Sequence, residues 1–173
     1  MHRIEPLSAA HDRETFSCGS PPLDLYLRQT AGQHARKGIS RTFVLVNETA
    51  PTPRPVLGYF TLNLCQAHGE DLPRELARRL PRDVPALKLG RLAVARDRQG
   101  QGLGRLLLVA AMEKVVEVHA SAGGIGLFVD AKDETARAWY QRFGFTPLPE
   151  QPLQLFLPLA TIMEALGSTG STG

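Results

Sequence analysis

Cysteine is scarce in this 173-residue chain, and what there is lies scattered. Cys18 and Cys65 stand far apart, with no Cys-x-x-Cys pair and no Cys/His cluster around either. A disulfide framework and a zinc site are therefore without support, no metal is expected, and two free thiols fit a reduced, cytoplasmic compartment. Long apolar runs are missing too. The opening MHRIEPLSAAHDRETF lacks the apolar stretch of a signal peptide, and no segment approaches the length of a membrane-spanning helix. Internal repeats and dividing linkers are also absent, so residues 1–166 read as one domain. The last stretch, GSTGSTG at 167–173, reads as a flexible, linker-like tail outside the fold. Acids are missing between Leu25 and Asn47, where Arg28, Arg36, Lys37 and Arg41 stand without a counter-charge in sequence.

What is present is a globular composition. Hydrophobic residues make up 43% of the chain, enough for a full core, and the net charge is a mild +3. A second basic cluster, Arg74, Arg78, Arg79 and Arg82, is interleaved with acids. Each cluster is either a solvated helix face or a polyanion surface, and charge by itself does not separate the two.

Periodicity supplies the elements. Leu23, Leu27 and Ala31, with Tyr26 beside them, recur at helical spacing, so a helix is expected from about Pro21 to Arg36, with Ser20 as its cap and Gly38 as its end. RTFVLVNE and VLGYFTLNLCQA read as antiparallel strands joined by the proline-rich turn TAPTPRP. DLPRELARRL reads as a short helix and ALKLGRLAVA as a buried strand. GLGRLLLVAAMEKVVEVHASAG reads as a long helix with Leu103, Leu106, Leu107, Ala110 and Ala111 on its apolar stripe. GIGLFVDA is a buried strand, DETARAWYQRFGF a helix stopped at Gly144, and PLQLFLPL a last strand. The order α, ββ, α, β, α, β, α, β mixes hairpins with crossovers and predicts an α/β fold, a mixed sheet with helices on both faces.

The glycines of RDRQGQGLGR carry the chemistry. Gly100, Gly102 and Gly104 lie between a strand and a long helix, where backbone N–H groups and the helix dipole favour an anion such as a phosphate. A phosphate-binding loop of the GxxxxGK[ST] kind is excluded, because no Lys-Ser/Thr follows. A dinucleotide fingerprint GxGxxG is excluded by the spacing. The arrangement that fits is Gln99-x-x-Gly102-x-Gly104.

In that arrangement the sequence resembles the GNAT acyltransferase superfamily, whose Q/R-x-x-G-x-G/A loop holds the pyrophosphate of acetyl-CoA. Ala136-Arg137-Ala138-Trp139-Tyr140-Gln141-Arg142-Phe143-Gly144-Phe145 resembles the family's second cofactor-side segment. FSCGSPPLDLYLRQTAGQHARKGISRTFVLV, with the stretches at Gly58–Leu62, Leu89–Val94 and Val129–Asp133, is similar to the GNAT-type toxins of bacterial type II toxin–antitoxin modules.

The resemblance implies a GNAT fold with a mostly antiparallel central sheet, acetyl-CoA as co-substrate, and direct acetyl transfer to the α-amine of aminoacyl-tRNA, which blocks translation. It implies cofactor contacts at Leu92, Ala93, Val94, Gln99, Gly100, Gln101, Gly102, Leu103, Gly104 and Arg105. It also implies one at Asp133, where relatives often carry asparagine and where a helix cap is the competing role. Tyr140 is the implied proton donor to the departing thiolate. A ribbon-helix-helix antitoxin and a homodimer are the implied partners. The residues to test against tRNA are Arg28, Arg36, Lys37, Arg41, Arg78, Arg79 and Arg91. His68 and Glu70 are candidate bases, His119 reads as structural, and an acyl-Cys65 route is not expected. Two other readings remain open: a GNAT enzyme for a small or protein amine, and a non-catalytic CoA-binding module.

Overall fold

The computed structural model describes residues 1–169. Its strands are β1 (His2–Pro6), β2 (His11–Asp12), β3 (Arg41–Asn47), β4 (Arg54–Pro55), β5 (Gly58–His68), β6 (Asp83–Val94), β7 (Gly126–Asp130), β8 (Thr146–Pro147) and β9 (Gln154–Pro158). Its α-helices are α1 (Pro21–Leu25), α2 (Ala31–Arg36), α3 (Arg74–Ala77), α4 (Leu103–Ala122), α5 (Glu134–Gln141) and α6 (Leu159–Thr169). Seven strands pair in the order β1-β3-β5-β6-β7-β9-β8, and β2 pairs with β4. The β1–β3, β3–β5, β7–β9 and β8–β9 pairs are antiparallel and β6–β7 is parallel, which makes the sheet mixed.

Two compact units make up the chain. The first is Met1–Asn63 with Gly90–Ala111, and the second is Leu64–Leu89 with the chain from Met112 onward. Strands β5 and β6 and helix α4 give residues to both.

In the first unit, β3 is the middle of the pattern. Its register, His2↔Asn47 against β1 and Arg41↔Leu62 against β5, places Val44 and Val46 with Tyr59 of β5. Leu27 and Ala31 from the expected helical stripe pack into that core with Tyr26, Phe16 and Ala93. The expected helix over Pro21–Arg36 is present with a π-helical turn at Tyr26–Thr30 in its middle. Ser20 occupies the cap position in extended backbone, but its side chain accepts no hydrogen bond, so the backbone shape and Pro21 start the helix rather than a hydroxyl cap.

In the second unit, Phe128 and Phe156 meet with ring centroids 4.6 Å apart, over a core of Ala67, Leu72, Val84, Ala86 and Leu148.

Several expectations are corrected. Leu106 is 45% exposed, and the buried stripe of α4 runs through Leu103, Leu107, Leu108, Ala111, Met112 and Val115. The short helix expected in DLPRELARRL is only Arg74–Ala77, preceded by a 3-10 turn at Gly69–Asp71. Strand β1 and helix α6 were not foreseen. Helix α6 runs into the stretch set aside as a tail, making 167–169 helical, while 170–173 lie outside the described residues.

Candidate active site

In the first unit, β6 runs straight into the glycine loop. Leu92, Ala93 and Val94 end the strand, Arg96–Arg98 make a 3-10 turn, and α4 begins at Leu103. Gly100 and Gly102 both take φ of +80°, a region that residues with a Cβ rarely adopt, and a Cβ at either would meet no atom within 4 Å. Glycine is therefore required there by backbone shape, with open space in front of it. The first N–H groups of a helix have no acceptor within the helix, and here the Gly102 carbonyl already takes the Leu106 N–H at 3.3 Å. The N–H groups of Leu103, Gly104 and Arg105 thus sit at the positive end of a 20-residue helix.

The Gln99 side chain braces this loop. Its Nε2 donates to the Val94 carbonyl at 3.1 Å and to the Cys18 carbonyl at 2.9 Å. Both amide hydrogens are used, so what Gln99 can offer an anion is backbone. Arg96 and Arg98, which the sequence reading passed over, flank the same turn and line a cleft of about 560 Å³ with Leu57 and Ala95. Their signal was present in the sequence as the Arg-Asp-Arg immediately before the glycines.

Arg91, the residue before Leu92 on β6, is held rather than free. Its guanidinium lies 3.5 Å over the Tyr26 ring, and Tyr26 Oη lies 2.9 Å from Ser40 Oγ. Cys18 is also fixed: its N–H donates to the buried Asp24 carboxylate at 2.9 Å, and burial pushes its thiol up to about 11.

In the second unit, Tyr140 sits on α5. The helix is started by Asp133, whose Oδ1 accepts the Ala136 N–H at 2.8 Å, so the capping role weighed for Asp133 is real. Tyr140 is 8% exposed and meets the Trp139 and Phe145 rings edge-on. Burial alone pushes its hydroxyl up to about 12. A phenol in that state keeps its proton throughout the neutral range, as a general acid must.

Residues 38–147 match the acetyltransferase (GNAT) domain family. The chain belongs to the GNAT acetyltransferase family. It is 36% identical over 161 residues to a Mycobacterium tuberculosis protein named tRNA-acetylating toxin, covering 93% of this chain and 94% of that one. Among solved structures it is similar to AtaT complexed with acetyl-methionyl-tRNAfMet, with 34% identity, TM-score 0.88, and 96% and 99% of the two chains covered. It is equally similar in sequence, at 34% with TM-score 0.81 over 95% and 98%, to a tyrosine-to-phenylalanine mutant of AtaT bound to acetyl-CoA and the C-terminus of the antitoxin AtaR. A GNAT fold and acetyltransferase activity are what the sequence reading expected.

The remaining candidates separate by environment. Lys37 and Arg36 are exposed at the end of α2, Arg28 is half-buried in the π-helical turn, and Arg41 Nη1 donates to the Ala35 carbonyl at 3.2 Å. Arg78 and Arg79 are exposed just after α3, in the second unit. His68 is exposed, and its Nδ1 lies 2.7 Å from Asp83 Oδ1. Glu70 is exposed in the 3-10 turn. His119 Nδ1 lies 3.2 Å from the Gly124 carbonyl at the end of α4, a structural role. Burial raises the Cys65 thiol above its ordinary value, which keeps it a thiol and disfavours nucleophilic use. Among the described residues no group of three or more His, Cys, Asp or Glu could hold a metal, and no helix is long and apolar enough to cross a membrane.

Proposed function

We propose that this protein is the toxin of a toxin–antitoxin module, an N-acetyltransferase that moves the acetyl group of acetyl-CoA onto the α-amine of aminoacyl-tRNA and so blocks translation. The observation that carries this reading is likeness along nearly the whole chain to a tRNA-acetylating toxin and to AtaT bound to an acetylated methionyl-tRNA.

The residue roles follow from what each group can supply. The backbone N–H groups from Gln99 to Arg105 hold the pyrophosphate of acetyl-CoA, using the helix end that Gly100 and Gly102 leave uncovered. The backbone of Leu92, Ala93 and Val94 pairs with the pantetheine arm, and a backbone N–H near Val94 polarises the thioester carbonyl. The amine nitrogen attacks that carbonyl, the carbon–sulfur bond breaks, and Tyr140 gives its phenolic proton to the departing thiolate. The new amide nitrogen sheds one proton, which restores the phenol. An α-amine on an ester is less basic than a lysine amine, so a site without a strong base suffices for deprotonation. The basic residues Arg28, Arg36, Lys37, Arg41, Arg78, Arg79 and Arg91 are the pool from which tRNA phosphate contacts are drawn. The partners are charged tRNA and an antitoxin of ribbon-helix-helix type, the working form is a homodimer, and the site of action is the cytoplasm.

The test is incubation with labelled acetyl-CoA and total aminoacylated tRNA, beside deacylated tRNA and a panel of small amines. Label confined to charged tRNA, and lost with Tyr140→Phe, is the expected result. Label on small amines or polypeptide alone would overturn the acceptor while leaving the acetyltransferase.

A further inference from the structure

One cleft in the first unit brings two residues of that basic pool, Arg36 and Arg41, beside Arg13, which lies outside it. It lies among the loop after β1, helix α2 and the start of β3, has a volume of about 390 Å³, and is lined by Arg13, Gly32, Arg36, Arg41 and Thr42 over an apolar floor that includes Leu7. Arg13, Arg36 and Arg41 reach its wall from three separate segments, and Arg41 Nη1 donates to the carbonyl of Ala35, another lining residue, at 3.2 Å. Among the described residues none of them has a carboxylate partner. Arg36 Nη1 and Arg13 Nη1 lie 3.3 and 3.4 Å from the position that a Cβ on Gly32 would take. Glycine inside a helix is unfavourable relative to alanine, and here its bare backbone is the surface on which two like charges come together. Thr42 is 5% exposed, and its Oγ1 is buried without any hydrogen-bond partner. A buried hydroxyl without a partner is costly unless something else supplies one.

We infer that this cleft is a phosphate site, in which Arg13, Arg36, Arg41 and the Thr42 hydroxyl hold a backbone phosphodiester of the tRNA acceptor. The inference rests on the reading of charged tRNA as substrate. Donors that arrive from three directions, joined by a hydroxyl, match a tetrahedral group whose charge persists at every physiological pH. A planar carboxylate is satisfied by a single guanidinium fork and leaves two cations unmatched. The acid-free run from Leu25 to Asn47 gains its purpose here, and Arg13, remote in sequence from that run, completes it.

The experiment measures equilibrium binding of uncharged tRNA to the full chain across a salt series, for the wild type, Arg13→Gln and Thr42→Val. Steady-state acetylation of charged tRNA and of an amino-acid methyl ester is measured alongside. Removing one phosphate contact should reduce the slope of log K against log salt by about 1 in Arg13→Gln. The KM for charged tRNA should rise about fivefold with kcat held, and the methyl ester should be acetylated as before. Thr42→Val should also raise the KM for charged tRNA, by about threefold, without lowering the melting temperature. A hydroxyl with only a structural role would leave that KM where it was. An unchanged salt slope in Arg13→Gln overturns the inference. So does a loss of affinity for an acidic antitoxin peptide with tRNA binding intact, which would assign the cleft to the antitoxin. If the wild type acetylates no charged tRNA, the proposed function falls, while the binding slope still decides the cleft.

Discussion

Glycine serves opposite ends in the two units. At Gly100 and Gly102 in the first, a Cβ would point into open space and only the left-handed backbone demands glycine. At Gly126 in the second, φ is +152° and a Cβ would lie 2.8 Å from two Phe156 ring carbons and closer still to the Leu157 carbonyl oxygen. Crowding demands glycine there, because β9 packs directly against that backbone in the Gly126↔Pro158 register. The first kind of glycine shapes an open loop, which the proposed function gives to acetyl-CoA, and the second closes a core. Substitution should tell the two apart.

The largest effect is expected at Gly126. Gly126→Ala combines strain at a positive φ with a clash against main chain that cannot move aside, and should destabilise the protein by on the order of 3 kcal/mol or more. Thermal or denaturant unfolding checks this, and a variant with the wild-type midpoint would remove the packing argument. Tyr140→Phe should come next, with the fold intact and kcat reduced by about a hundredfold, the scale of a lost general acid. Because burial pushes the Tyr140 hydroxyl up to about 12, wild-type activity should show no loss near pH 10, tyrosine's ordinary value. Loss of the proton would weaken catalysis only as the pH approached 12. An alkaline limb centred near 10 that vanished in the phenylalanine variant would contradict the buried environment.

Gly102→Ala sharpens the contrast directly. No atom blocks the added methyl, so the cost is the backbone strain alone, about 1–2 kcal/mol. If the loop relaxes to relieve it, the N–H groups at the start of α4 turn away from their ligand. The KM for acetyl-CoA should rise about tenfold with the unfolding midpoint lowered only slightly. A midpoint shift like that of Gly126→Ala, with KM unchanged, would make Gly102 a packing glycine after all.

What could be read from the chain alone follows the same division between backbone-made and packing-made features. The turn at Gly100 and Gly102 was legible because closely spaced glycines ahead of an apolar helical stripe mark a break between strand and helix. The helix through Leu23, Leu27 and Ala31 was legible by period. Strand β1 was hidden because HRIEP is an edge strand, half exposed and without an apolar run. Helix α6 was hidden because its apolar residues continue those of β9 across Pro158, and a proline ending a strand looks the same as one ending a chain segment. Leu106 was misplaced by one helical position, since LLL gives no phase of its own. The bracing role of Gln99 depends on the Cys18 carbonyl, and the cleft at Thr42 on Arg13. Both pairings are tertiary, and no local spacing announces them.

The smallest effect returns to the two helix starts that the glycines and Asp133 define. Helix α4 opens behind glycines, whereas α5 opens behind a carboxylate that already accepts the Ala136 N–H. A negative charge at that position stabilises the helix and repels a phosphate, so the start of α5 disfavours the anion that the proposed function assigns to the start of α4. Asp133→Ala should therefore cost about 1 kcal/mol of stability, the usual worth of such a cap, and leave the KM for acetyl-CoA unchanged. Asp133→Asn keeps an acceptor oxygen and should restore most of the stability. If instead Asp133→Ala raised the KM for acetyl-CoA while Asp133→Asn lowered it below the wild-type value, the residue would be a cofactor contact weakened by its own charge.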